Sequence, residues 1–247
     1  MQDLRPGARL AGYRIEAIER DDGGAAVVRA QDPVEGREVA LHVAAEPPGS
    51  VATVRFLERA HRLQGVVHPH LLPVYDVRTI DGRALVIAQA PPGRRLDDVL
   101  GDGPIAPAQA TRIASQVASA VEALEGAGAE LPPITPQRVW VSAGNAYLDP
   151  LDGRSLLNRA DRPPSSPAAV ADLLDAMVKR DNAPAPLCEI LTRALDGAYF
   201  SVAQITDALR RLEAGSADRA RRRRQIAIAI AMAATIFLLV IIGLTVA

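Results

Sequence analysis

The last 22 residues, IAIAIAMAATIFLLVIIGLTVA from Ile226 to Ala247, contain no charged side chain. At helical rise such a segment is about 33 Å long, against a hydrocarbon thickness of about 30 Å. A core helix of a globular domain rarely runs so far without a polar stripe, so the stretch predicts a transmembrane helix. Its position in the chain is not that of a secretory signal. The preceding RARRRR, with Arg219, Arg221, Arg222, Arg223 and Arg224, reads as the positive flank of the span. It places residues 1–218 in the cytoplasm and the C-terminus at the outer face of a single-pass cell-membrane protein. These arginines are also candidates for contact with anionic lipid headgroups, at about 1 kcal/mol each.

The basic flank hides an acidic body. Five of the 28 basic residues lie at those positions and all 29 acidic residues precede them, so residues 1–218 carry a net charge of −6. That balance excludes nucleic acid as an expected partner. The one cysteine, Cys188, cannot close an intramolecular disulfide and fits a reducing compartment.

Between Tyr13 and Val43 the pattern is short and alternating, with YRIEAI, AAVVRA and EVALHV separated by turn-forming DDGG and DPVEG. An amphipathic helix is expected over Ser50–Gly65, followed by two strands around Asp81-Gly82. After Pro91-Pro92-Gly93 the pattern turns helical. Helices are predicted over Leu96–Leu100, Ala106–Gly126, Ala168–Lys179, Pro186–Leu195 and Val202–Leu212, with a strand pair in RVWVSAGNAYLDP.

Five local motifs in this order resemble those of bacterial Ser/Thr protein kinases. VALHV (Val39–Val43) resembles the VALKV strand, and RFLERAHRLQGVVHPHLLPVYDV (Arg55–Val77) the regulatory helix and its following strand. LPPITPQRVWV (Leu131–Val141) sits at the catalytic loop and AYLDPL (Ala146–Leu151) at the DFG strand. LCEILTRALDGAYFSVAQITDALRRL (Leu187–Leu212) resembles the last helices. The resemblance covers about Tyr13 to Leu212. It implies an α+β, protein-kinase-like bilobal fold with a five-stranded antiparallel N-lobe carrying one helix, a reduced helical C-lobe, and one C-terminal transmembrane helix. The corresponding boundaries are an N-terminal extension at 1–12, an N-lobe at 13–90, a C-lobe at 91–213, a basic juxtamembrane linker at 214–225 and the membrane helix at 226–247.

The same alignment shows departures. His42 stands at the nucleotide-binding lysine, and Arg59 at the helix glutamate, with Glu58 one position, or about 100°, away. Pro133 takes the place of the catalytic Asp and Arg138 that of the magnesium-binding Asn, and only Asp149 keeps its chemistry, at the DFG aspartate. Proline accepts no proton and a guanidinium repels Mg²⁺. DDGG reads as a hairpin turn instead of a phosphate loop, His42 also fits a satisfied or partly exposed histidine, and Asp149 also fits a turn-capping role.

These positions predict a pseudokinase, not an enzyme, without cofactor, metal or catalytic residues. Such a protein would act as a scaffold or regulator of cell-envelope or signalling proteins. The partners expected are membrane lipids and a protein, either a membrane protein or a phosphopeptide-binding domain directed to Ser165 or Ser166. The alternative is an atypical ATP-binding protein or weak Ser/Thr kinase, in which arginines such as Arg20 or Arg37 replace the lysine.

Overall fold

A computed structural model of the chain describes residues 4–21, 25–80, 82–129, 134–151, 166–178 and 183–215, with isolated positions 225 and 232. The alternating first part forms strands β1 (Arg9–Leu10), β2 (Tyr13–Asp21), β3 (Ala25–Gln31), β4 (Glu38–Ala44), β5 (Val74–Ile80) and β6 (Arg83–Gln89). They make one antiparallel sheet in the order β1-β2-β3-β4-β6-β5. The sheet thus has six strands where five were expected. The extra one, β1, is two residues long and pairs Leu10 with Tyr13 across a turn at Ala11 (φ 53°) and Gly12 (φ 90°). A pair that short shows no alternation to read. Leu4 is buried with Tyr13 and Ile15, so part of the stretch read as an extension packs onto the sheet.

β4 is central and buried on both faces. Period-two alternation sends Val39, Leu41 and Val43 into one core with Ile15, Val28 and Ile87. Ala40, His42 and Ala44 take the other face, where Ala44 meets the core that also holds helix α1 (Val51–Leu63). Ser50 caps α1 by accepting from the Thr53 N–H at 3.1 Å, and Phe56, Ala60 and Leu63 form its buried stripe.

The second lobe opens with β7 (Arg94–Arg95) and α2 (Leu96–Gly101), followed by α3 (Pro107–Gly126) with proline at its first position. A 3₁₀ turn (Pro136–Arg138) leads into β8 (Val139–Ser142) and β9 (Asn145–Leu148), which with β7 form a three-stranded sheet. Helices α4 (Ser166–Met177), α5 (Ala185–Leu195) and α6 (202–215) complete the lobe. Ile113, Val117, Val121 and Leu124 make α3 the apolar spine, with α4 on one side and β9 on another. All the helices expected in this lobe are present, within a few residues of their predicted ends.

The segment between α1 and β5 joins the lobes. The His70 carbonyl accepts from the Leu148 N–H at 2.8 Å, and the Leu72 N–H donates to the Leu148 carbonyl at 2.9 Å. His68 sits above them with its Nε2 2.9 Å from Ser119 Oγ on α3. The expected membrane helix, 226–247, and the arginines of its flank lie outside the described residues apart from position 232. Among the described residues no helix is long and apolar enough to cross a membrane.

Candidate functional site

The two lobes enclose a cavity of about 350 Å³. Its roof comes from Glu19 on β2, Val27 on β3, and Ala40 and His42 on β4. The side chains at 40 and 42 are neighbours on one strand face, and the pleat places both toward the second lobe. Ala88, Gln89 and Pro91, at the end of β6 and in the link to β7, form the back. Leu72, Trp140 and Asp149 form the floor, with Arg95 and Asp98 at the start of α2.

His42 is 3 % exposed, faces Val27 and Val86 in register, and lines the cavity. Asp149 also fills two roles. Its Oδ1 accepts from the Leu151 N–H at 2.9 Å, a turn bond, while the residue lines the cavity. Arg138 is 4 % exposed and donates from Nη2 to the Asp149 carbonyl at 2.7 Å; the Asp149 N–H donates back to the Arg138 carbonyl at 2.8 Å. The two are therefore clasped through the main chain. Arg59 and Glu58 lie on α1 away from the cavity lining, and Glu58 is exposed. Pro133 and Ser165 lie outside the described residues, as do residues 22–24 of DDGG, and Ser166 opens α4.

The structure brings in charged residues that sequence reasoning did not select. Arg29 on β3 holds Glu19 at 2.7 Å and Glu38 at 3.1 Å, and reaches toward the Pro91 carbonyl. Burial opposes its charge, yet the hydrogen bonds to these carboxylates hold the guanidinium above its ordinary value. Arg95 binds Asp97 through two nitrogens, which raises the arginine and lowers the carboxylate. Arg94 pairs with Asp102 at 2.7 Å. The signals for the Arg29 and Arg95 pairs were opposite charges on adjacent strands and at i, i+2, too common to single out, and Arg94 and Asp102 lie eight residues apart with no such pattern. Arg37, offered as a substitute for the missing lysine, lies elsewhere: its guanidinium stacks 3.7 Å over the Tyr75 ring and pairs with Glu35 at 3.0 Å.

No protein-family model matches the chain. Over 150 residues it is 34 % identical to the serine/threonine-protein kinase PknE of Mycobacterium tuberculosis, covering 59 % of this chain and 26 % of the relative. The serine/threonine-protein kinase PknH of Mycobacterium bovis is 28 % identical over 151 residues, 60 % of this chain and 25 % of the relative. The chain thus spans about a quarter of the length of these relatives. Among solved structures, the PknI kinase domain of Mycobacterium tuberculosis superposes with a TM-score of 0.64 at 20 % identity, over 84 % of this chain and 98 % of the neighbour. A second crystal structure of that domain gives 0.66 at 19 % identity, over 86 % and 99 %. These findings overturn the expectation that the chain is not an enzyme, since the relatives are named Ser/Thr protein kinases and the neighbours are kinase domains. That expectation read each substituted position by itself, whereas the aligned 150 residues carry the likeness as a whole. With six strands over a helical lobe and a cavity between them, the chain carries a protein-kinase-like domain.

Proposed function

We propose that this protein is a membrane-tethered, kinase-fold regulator in Ser/Thr-kinase signalling, which works by binding protein partners at the cytoplasmic face. The observation that supports a binding role is the charge arrangement at the cleft. Arg95 in the cavity lining, and Arg29 behind the lining residues Glu19 and Pro91, are each held by carboxylates of the chain itself. A preorganised, self-satisfied network of this kind favours a fixed binding surface. The tether rests on the uncharged stretch 226–247 and the basic run at 219–224, which orient the domain inward and offer anionic lipids a docking strip. Photo-crosslinking of the full-length protein in membranes of its native host tests this reading. Recovery of the same partner set with and without the arginines of the 219–224 run intact supports the protein-binding role; recovery of nothing above an uncrosslinked control refutes it.

A second reading is an atypical nucleotide-binding protein or weak Ser/Thr kinase. It is favoured by the Asp149 carboxylate at the cavity, a metal-holding type of group, together with the names of the relatives. Transfer of radiolabelled phosphate from Mg-ATP, lost in Asp149→Ala, supports it. Absence of both transfer and a Mg-ATP melting shift refutes it.

A further inference from the structure

Two histidines of the segment between α1 and β5 fasten it to the second lobe, and they do so in opposite tautomers. His70 places Nδ1 3.0 Å from the Ala146 carbonyl on β9. A carbonyl only accepts, so this Nδ1 carries a hydrogen, and it keeps that hydrogen when the ring takes up a proton. His68 is the reverse. Its Nδ1 accepts from the His70 N–H at 3.2 Å, which leaves the hydrogen of the neutral ring on Nε2, 2.9 Å from Ser119 Oγ on α3. Arg210 on α6 donates from Nη2 to the same oxygen at 3.2 Å. Two donors, one from the junction and one from the last described helix, thus meet on one hydroxyl and fill its two lone pairs. Among the described residues, the charged or titratable groups around His68 are His70 on its own segment, Arg210 on α6 and Glu122 on α3. Burial first, then the charges of His70 and Arg210, hold the His68 ring below the ordinary histidine value, and Glu122 opposes them. The ring is therefore neutral above about pH 6.5 and gains its second proton only below that.

The geometry offers that proton no acceptor. On Nδ1 it points at the His70 N–H, and an accepting contact becomes two facing donors. The imidazolium also stands across Ser119 from the Arg210 guanidinium. Relief requires the ring to swing out and give up Ser119, or the His70 backbone to shift. His70 is the residue whose carbonyl receives the Leu148 N–H at 2.8 Å, one of the two main-chain bonds at the junction. We propose that the junction is a proton-operated latch, in which protonation of His68 frees it from α3 and loosens the lobes about the His70–Ala146 bond. The latch is closed while His68 is neutral and opens as the pH falls through its midpoint. The His70 bond to β9 survives on both sides of that midpoint, so the lobes pivot there without separating. The device works through the junction alone and does not depend on what partner the domain takes.

The test uses the full-length protein in detergent. NMR of the unaltered chain gives the His68 midpoint from its ring protons, and the amide signals of His70 and Leu148 are followed in the same titration. Spin labels at Val34→Cys, in the turn between β3 and β4, and at Ala203→Cys, on α6, report the distance between the lobes in a Cys188→Ala background; both labelled positions are exposed. The expected result is one narrow distance well above the His68 midpoint and a broad distribution well below it, with both amides shifting at that midpoint. His68→Gln keeps a donor toward Ser119 and takes up no proton, so it should hold the narrow distance at both pH values. A distance that stays narrow through the midpoint, amides that do not move with it, or equal broadening in His68→Gln would overturn the proposal. The NMR titration needs no variant to fold. Neither measurement reads crosslinked partners or phosphate transfer, so failure here leaves the proposed function standing.

Discussion

Replacing Gly93 by alanine should be among the most damaging single-methyl changes in the chain. Gly93 has φ +74°, and a Cβ built there would lie 2.2 Å from the Val141 carbonyl oxygen and 2.8 Å from Ser142 Cβ. Two costs add. The left-handed backbone costs a residue with a Cβ about 1–2 kcal/mol, of which the stiffer unfolded chain returns about half. The overlap is with backbone of a paired strand, since Arg94 pairs Val141 across β7 and β8, so relief requires moving the strand at about 1–3 kcal/mol. The total is about 2–4 kcal/mol. Gly128 supplies the control, with φ +64° and nothing within 4 Å of a built Cβ, so Gly128→Ala meets the first cost alone, about 1 kcal/mol. For a chain of this size 1 kcal/mol corresponds to about 2–4 °C in Tm. Thermal melts of the full-length protein in detergent, followed by circular dichroism, should therefore show Gly93→Ala falling about two to four times as far as Gly128→Ala. Equal shifts for the two variants would refute the reasoning that the link behind the cleft is pressed against β8.

Other consequences are checked on the same preparation. Arg138→Met removes a buried charge-assisted bond and strips the Asp149 carbonyl of its donor, for a loss of about 2–3 kcal/mol measured by urea unfolding. His68 is held below the ordinary histidine value by burial first, then by the charges of His70 and Arg210, while its Nδ1 accepts from the His70 N–H at 3.2 Å. The unfolded chain therefore takes up this proton first, so stability is full above about pH 6.5 and falls as the pH drops through the lowered value. His68→Gln should flatten that part of the pH–stability curve, and an unchanged slope would remove His68 as its source. In the turn between β8 and β9, Ala143 adopts φ 48°, which asparagine tolerates better, so Ala143→Asn should raise Tm by about 1–3 °C.

Much of the fold was legible because it is written in local periodicity. EVALHVA alternates and is a strand; the stripe of Phe56, Ala60 and Leu63 repeats at helical spacing and is a buried helix face. β1 was missed because two residues carry no period, and its pairing depends on Ala11 and Gly12 turning the chain. His42, Arg138 and Asp149 were identified by their place in motifs, yet their partners were not. The clasp of Arg138 on the Asp149 carbonyl runs between segments eleven residues apart, and no spacing rule predicts it. Arg37 was placed near the cleft on the strength of its charge, whereas the sheet turns it onto Tyr75.

Apart from β1, the order of strands and helices, the acidic body with its basic end, and the identity of the residues at the kinase-like positions are all properties of neighbours along the chain and can be read there. Which of those residues share a cavity depends on how the lobes pack. Glu19, Asp98 and the β8–β9 pair that carries Trp140 and leads into Asp149 are far apart in sequence, brought together when the His70–Leu148 bonds and the apolar spine of α3 dock the lobes. Burial is set by the whole core, so the character of the cleft, acidic at its edge and apolar within, exists only once that packing is complete.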